Sequence, residues 1–291
     1  MKPIIVAIDF SSTSVHSLEY AIPLANKFGA NIIMVWVDKG SIQESLYPDT
    51  SNENRMEAMK RFKELTKTYQ KELKKGLKFE CKLRKGKVSQ EIELQSKASG
   101  AGLIISGSHG VSGFEELMIG SNAFKMATWC TCPVITVRQN FPVKGKIRRI
   151  VIPIDNTIET IQKVPYTAMI AKTFKSDVRI LALNSCTLHS LRKVVDKYAA
   201  MAAAYFEAMK IKHSVESLDS ENIARATIHY AEKHKADLIT IVKEKDTSSS
   251  SVLLGPYGAL LINQSPIPVL SIHTIENFTL NEKQTLRNPF A

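Results

Sequence analysis

Gly107-Ser108-His109-Gly110, followed after nine residues by Gly120-Ser121-Asn122, is where this chain is best equipped for chemistry. Leu103-Ile104-Ile105-Ser106 reads as a buried parallel strand and Ser121 as the N-cap of a helix over Ala123 to Trp129. Glycines let backbone approach a ligand without Cβ interference, and unpaired amides at a helix start hydrogen-bond an anion along the helix dipole. Strand, glycine loop and capped helix together make a cradle for a phosphate. Asp9, after an apolar run and ahead of Ser11 and Ser12, has two readings. It caps the helix beginning near Thr13, or its carboxylate holds a ribose hydroxyl or a divalent cation such as Mg that bridges to phosphate oxygens.

Other reactive types carry less. His109 is a lone loop histidine, and no partner in the sequence makes it a general base. Trp36 either flanks the crevice or packs under a helix. Cys130 and Cys132 lack the further ligands that a metal needs and read as small buried thiols. Met118, Met126, Met201 and Met209 fall on helical apolar positions and read as core. No nucleophile elbow, Walker loop or zinc-protease pattern is present. Glu115 and Glu116 are the only carboxylates near the loop, and neither they nor an arginine is evidently placed for phosphoryl transfer. The residues therefore favour binding over catalysis. A slow ATPase or nucleotide-transfer enzyme, and a scaffold that binds no nucleotide, stand as the alternatives.

The elements that position these residues occur twice. Ile4-Ile5-Val6-Ala7-Ile8-Asp9 returns as Ile150-Val151-Ile152-Pro153-Ile154-Asp155, and Cys132-Pro133-Val134-Ile135-Thr136-Val137 as Ile267-Pro268-Val269-Leu270-Ser271-Ile272. The offsets are 146 and 135, so the second copy is 11 residues shorter, a loss expected in the polar loop Asp38 to Asn54. Strand-like runs at 4–8, 32–37, 77–83, 103–106 and 134–137 alternate with helical patterns at 13–28, 53–75, 89–99 and 121–130. The second copy has strands near 150–154, 178–183, 213–217, 238–242 and 269–272, and helices near 158–174, 189–211, 221–235 and 256–263. That alternation predicts two tandem α/β domains, each a doubly wound parallel sheet with its ligand crevice at the carboxyl ends of the first and fourth strands. The domains are read as 1–139 and 149–273, with a linker at 140–148 and a loosely held polar tail at 274–291.

The chain carries a formal charge of +11. Much of it lies between Arg55 and Lys87, where thirteen Lys or Arg face four Glu. Without an aromatic row this reads as a solvated helix face, and nucleic acid is not the expected partner. No run reaches the ~18 apolar residues of a membrane span, and the start goes straight into a strand pattern, so neither anchor nor signal peptide is expected. Four scattered cysteines do not make a disulfide framework, and a cytoplasmic protein is the expectation.

These residues resemble the universal stress protein family, and from Lys2 to about His273 the chain looks like a tandem member. The specific part is the family's pattern of Gly, two residues, Gly, nine residues, Gly and Ser or Thr, met by Gly107, Gly110, Gly120 and Ser121. The resemblance implies the fold of the adenine nucleotide alpha hydrolase superfamily with strand order 3-2-1-4-5, bound ATP or another adenine nucleotide, and dimerisation through the last strand. The two domains of one chain would then form a pseudo-dimer, with a homodimer of chains as a further possibility. Carried over by position, Asp9 would contact ribose or metal, backbone near Trp36 would meet adenine, and Gly107 would pass beneath the ribose. Gly110, Gly120, Ser121 and Asn122 would serve the phosphates, with His109 close by. Ala101-Gly102 departs from the family's Ala-Asp, which is expected to loosen the start of the fourth strand. In the second copy Val242, Lys245 and Pro256 replace Gly107, Gly110 and Ser121, Gly255 alone matches Gly120, and Ser248 to Ser251 make a polar loop. That copy is expected to keep the fold and lose the site, with Asp155 left as a helix cap.

Overall fold

The computed structural model describes residues 2–38, 48–108, 120–185, 188–245, 252–253, 255–275 and 278–280. His109, Gly110, Glu115, Glu116, Met118, Ser248 to Ser251 and the tail from 281 onward lie outside the described residues. The chain divides into two compact units at Gly145/Lys146.

In the first unit the apolar runs form five parallel strands: β1 (Ile4–Ala7), β2 (Ile32–Asp38), β3 (Phe79–Lys85), β4 (Leu103–Gly107) and β5 (Val134–Val137). Pairing gives the order β3-β2-β1-β4-β5. Ile4, Ile5, Ile104, Ile105, Val134 and Ile135 are fully buried, because helices must cover both faces of a parallel sheet. β3 lies at the edge and largely alternates half-buried with exposed residues instead. The helices are α1 (Ser12–Phe28), α2 (Pro48–Tyr69) with a 3-10 turn Gln70–Glu72, α3 (Val88–Ser99) and α4 (Ser121–Trp129). Gly29 ends α1 in the left-handed region at φ 67°, where glycine is free of Cβ strain. α2 turns Ala58 and Phe62 inward and leaves Lys60, Lys63, Lys67 and Lys71 exposed, so its basic face is solvated. Cys130 and Cys132 are buried, their thiols directed to the carbonyls of Ser89 (3.9 Å) and Ala101 (3.4 Å). Phe141 packs edge-on against Tyr20, and its carbonyl meets His16 Nε2 at 2.7 Å, so α1 also holds the segment after β5.

The second unit repeats this with β6 (Arg149–Ile154), β7 (Asp177–Asn184), β8 (His213–Asp219), β9 (Leu238–Val242) and β12 (Val269–Ile272), ordered β8-β7-β6-β9-β12 and all parallel. Its helices are α5 (Val164–Phe174), preceded by a 3-10 turn Ile158–Lys163, α6 (His189–Ala208), α7 (Ile223–Lys233) and α8 (Pro256–Gln264). A two-stranded antiparallel ladder, β10 (Glu244–Lys245) with β11 (Val252–Leu253), follows β9; two-residue strands leave too short an alternation to read in sequence. Register repeats as well: Ile4 opposes Ile32 and Leu103, and Ile150 opposes Val178 and Leu238.

The shortening of the second copy is not confined to the loop after its second strand. Nine residues (39–47) separate β2 from α2 where four (185–188) separate β7 from α6, but Pro48 to Asn54 is already helical. The rest lies in α2 with its 3-10 extension and in the turn before β3, both longer than their counterparts around α6.

Candidate functional site

The chain leaves β1 and β4 on opposite sides of the sheet, so the carboxyl ends of these adjacent strands open the crevice typical of doubly wound sheets. Asp9 follows β1. Its Oδ1 accepts from the Ser11 amide (3.0 Å) and hydroxyl (2.6 Å), and its own amide donates to Ser14 Oγ (3.3 Å). The helix cap is Ser11, whose Oγ accepts from the Ser14 amide at 3.2 Å. Asp9 is therefore not the N-cap of α1, as one sequence reading had it; it locks the turn that presents the cap. Phe10 within that turn has φ 64°. The Arg61 guanidinium lies 4.5 Å over its ring, Arg61 Nη2 donates to its carbonyl (3.3 Å), and the Phe62 ring is 5.1 Å away. α2 thus places a cation on Phe10, the chain neighbour of Asp9, that sequence reasoning missed; an i,i+1 Arg-Phe pair in a basic helix gives no sign of where it docks.

Gly107 ends β4. A Cβ there would lie 2.7 Å from Thr13 Cγ2, 2.9 Å from the Thr13 carbonyl and 3.0 Å from Ser17 Oγ. The glycine is thus required by the first turn of α1, whatever binds above it. Ser108 is buried, its amide donates to Val137 O (2.8 Å), and its carbonyl accepts from the Gly120 amide. That bond ties together the two ends of the loop carrying His109 and Gly110. The cap of α4 is Gly120, with φ −59° and ψ 142°, and Ser121 is the first helical residue; the assignment of Ser121 as cap is corrected. Among the described residues no side chain caps α4, and its first backbone bond runs from Phe124 N to Gly120 O (3.1 Å), leaving the amides of Ser121, Asn122 and Ala123 outside the helical ladder. Ser121 is exposed and Asn122 half-buried. Arg138 follows β5, and burial lowers its pKa from the usual guanidinium range.

Asp9 and Gly107 thus converge on the first turn of α1, and Gly120 to Asn122 are joined to them through Ser108. Trp36 is half-buried on β2, opposite Leu83 of β3 and on the other side of β1 from β4. Among the described residues no three His, Cys, Asp or Glu side chains gather as a metal site.

The second unit reproduces the acid and dismantles the loop. Asp155 Oδ1 accepts from the Thr157 amide (2.8 Å) and hydroxyl (2.5 Å), and its amide donates to Thr160 Oγ1 (3.2 Å), so it too organises a turn rather than capping a helix. Val242 stands at the end of β9 with Lys243 wholly buried after it, and Lys245 lies in β10. Lys163, in the register of Ser17, is also buried and donates to Thr160 Oγ1 (3.0 Å). Pro256 occupies the first turn of α8 and has no amide to offer.

The family model of the universal stress proteins matches residues 1–138. Universal stress protein YxiE of Bacillus subtilis (strain 168) is 31% identical over 146 residues, which are 46% of this chain and 97% of that protein. A universal stress protein of Methanocaldococcus jannaschii is 26% identical over 148 residues, covering 47% of this chain and 82% of the relative. In fold, the crystal structure of a universal stress protein from Archaeoglobus fulgidus DSM 4304 superposes with a TM-score of 0.73 over 93% of this chain and 98% of its own, at 19% identity. No helix among the described residues is long and apolar enough to cross a membrane. A relative matched along nearly its whole length, with the strand order and glycine pattern above, shows that the chain belongs to the universal stress protein family.

Proposed function

We propose that the first unit binds an adenine nucleotide, ATP foremost, at the crevice of β1 and β4, and that its occupancy acts in stress response or signalling. The observation that carries this reading is the uncapped start of α4, tied by the Gly120-to-Ser108 hydrogen bond to the end of β4. Backbone amides left outside a helical ladder at the positive end of its dipole suit a phosphate. On this reading Gly110, Gly120, Ser121 and Asn122 serve the phosphates, with His109 close by, and Asp9 serves the ribose or a Mg ion. Backbone near Trp36 would meet the base and Gly107 would lie under the ribose. A cation at Asp9 would draw its remaining ligands from phosphate oxygens and water. The second unit lacks this equipment at Val242, Lys245 and Pro256, so one nucleotide per chain follows.

Isothermal titration of the full chain with ATP tests this. One site per chain is expected, with affinity at least about tenfold weaker in Gly110→Val, a change of ~1.4 kcal/mol or more. Two equivalent sites, or none, would overturn it. Mass spectrometry of ligand released from the purified protein identifies the nucleotide.

A further inference from the structure

Phe10 holds a backbone conformation that its own turn does not call for. Among the described residues four non-glycines have positive φ: Phe10 (64°), Lys175, Lys210 and Lys235. The three lysines stand within two residues of the last helical residue of α5, α6 and α7, where a left-handed residue is a common stop. Phe10 lies instead between β1 and α1, and a bulky residue in that region is strained because its Cβ crowds the backbone. The hydrogen bonds of the turn do not require it. Asp155 makes the same three bonds in the second unit, to Thr157 and Thr160, across Asn156, which is not at positive φ although asparagine tolerates that region better than phenylalanine does.

The conformation is held from outside, by α2. Arg61 Nη2 donates to the Phe10 carbonyl (3.3 Å), its guanidinium lies 4.5 Å over the Phe10 ring, and the ring of the fully buried Phe62 is 5.1 Å away. Strain of this kind persists only where the surroundings over-determine it, and here one distant helix supplies every one of these contacts. Arg61 itself is exposed, so it adds nothing to the core that Ala58 and Phe62 make under α2. Resting on the nucleotide reading of the first unit, we propose that Arg61 is a positioning residue of that site and that α2 senses its occupancy. Arg61 holds Phe10 left-handed, Phe10 fixes the turn that carries the Asp9 carboxylate, and a ligand on Asp9 steadies α2 in return, because such linkage is reciprocal. α2 presents Met56, Met59, Lys60, Lys63 and Lys67 to solvent, so the linkage ends on a surface rather than in the core.

Calorimetric titration with ATP and hydrogen exchange, both on the full chain, test this. Arg61→Ala should weaken ATP at least about fivefold, the lower end of ordinary coupling between sites. Arg61→Lys keeps the charge but not the planar group that covers the ring while donating to the carbonyl, and should restore only part of the loss. Glycine takes a left-handed φ without strain, so in a Phe10→Gly background the Arg61→Ala change should weaken ATP less than about twofold. A direct attraction between Arg61 and the phosphates would survive in that background. Saturating ATP should slow amide exchange in α2 of the wild type and leave α2 of Arg61→Ala as it was, a readout that a general loss of stability does not reproduce. Unchanged affinity in Arg61→Ala, an equal loss in both backgrounds, full rescue by lysine, or an α2 indifferent to ATP would each overturn this inference and leave the nucleotide reading standing. A wild type that takes up no ATP would overturn both.

Discussion

Gly107 and Val242 end the fourth strand in two copies of one fold, and the helix start that passes over each differs accordingly. Over Gly107 an α-helix begins at Ser12, bringing Thr13 and Ser17 so close that a Cβ would meet a methyl at 2.7 Å and a carbonyl at 2.9 Å. In the second unit the corresponding residues form a 3-10 turn that packs on β9, the α-helix waits until Val164, and Val242 is buried. A 3-10 helix is narrower than an α-helix, which leaves room for the valine. Loss of the glycine is therefore a change in how helix and strand pack as well as a change in what the loop can hold.

The largest expected effect comes from forcing the second unit's residue on the first. Gly107→Val should destabilise by about 3 kcal/mol, the upper range for overpacking, because the Thr13 carbonyl is backbone and cannot rotate away. Thr13→Ala with Ser17→Ala should recover only part of that loss, since they remove the methyl and hydroxyl and leave the carbonyl. Chemical denaturation of the three variants measures it; full recovery would mean that the close approach is a matter of side chains alone. The reverse change, Val242→Gly, should cost about 2 kcal/mol through lost apolar burial, with no gain in nucleotide binding.

A second pair of positions inverts the comparison. Asp237, at the start of β9, accepts from the amides of Arg148 (2.8 Å) and Arg149 (3.1 Å). The first unit has Gly102 there, whose amide donates to Pro3 O (3.0 Å) as that of Asp237 donates to Arg149 O (2.8 Å). Pro3 has no amide hydrogen, so one of the two donors that Asp237 satisfies does not exist in the first unit. The departure at Ala101-Gly102 is matched by its neighbour. Asp237→Ala should cost about 2–3 kcal/mol by stranding two backbone donors, whereas Gly102→Asp should not stabilise. Equal and opposite effects in the two units would break this account.

Asp9 and Asp155 make the same three hydrogen bonds, so their removal should cost stability alike and ligand unequally. Asp9→Ala and Asp155→Ala should each destabilise by about 1 kcal/mol, the ordinary worth of such turn and cap contacts. Asp9→Ala alone should weaken ATP, which paired melting and titration experiments resolve.

How much of this was legible varies with the range of the cause. The strands could be read because burial on both faces leaves continuous apolar runs such as Leu103 to Ile105. The strand order did not come from such runs; it was carried over with the family resemblance. The choice of Ser11 over Asp9 as cap could not be read, since Asp-x-Ser offers two cap formers two residues apart and tertiary packing decides. The reason for Gly107 lay some ninety residues upstream in Thr13 and Ser17, out of reach of any local pattern. Arg61 over Phe10 and buried Lys163 belong to the same class: ordinary residue types whose surroundings are assembled from distant segments.

The smallest expected effect tests whether the units differ in acid. Glu93 on α3 holds the turn before β5, accepting from the Thr131 amide (3.0 Å) and hydroxyl (2.6 Å), with Lys97 3.0 Å away. Burial would raise its pKa, but the Thr131 hydroxyl, Lys97 and the Thr131 amide together bring it below the usual carboxylate value. A carboxylate depressed on folding contributes stability above its unfolded pKa, about 4.3 for Glu, and loses it as pH falls through the folded value. In the register of the second unit the pair is Ile228 and Pro266, which do not titrate, and the turn there is closed by Ser265 Oγ accepting from the Ile267 amide (3.1 Å). Acidification below about pH 4.3 should therefore weaken the α3 and α4–β5 region of the first unit before the matching region of the second. Hydrogen exchange read segment by segment measures this, and Glu93→Gln should flatten the acid response of the first unit by an amount on the order of 1 kcal/mol while leaving the second unchanged. Loss of protection in both units at the same pH would place the acid sensitivity elsewhere than at Glu93.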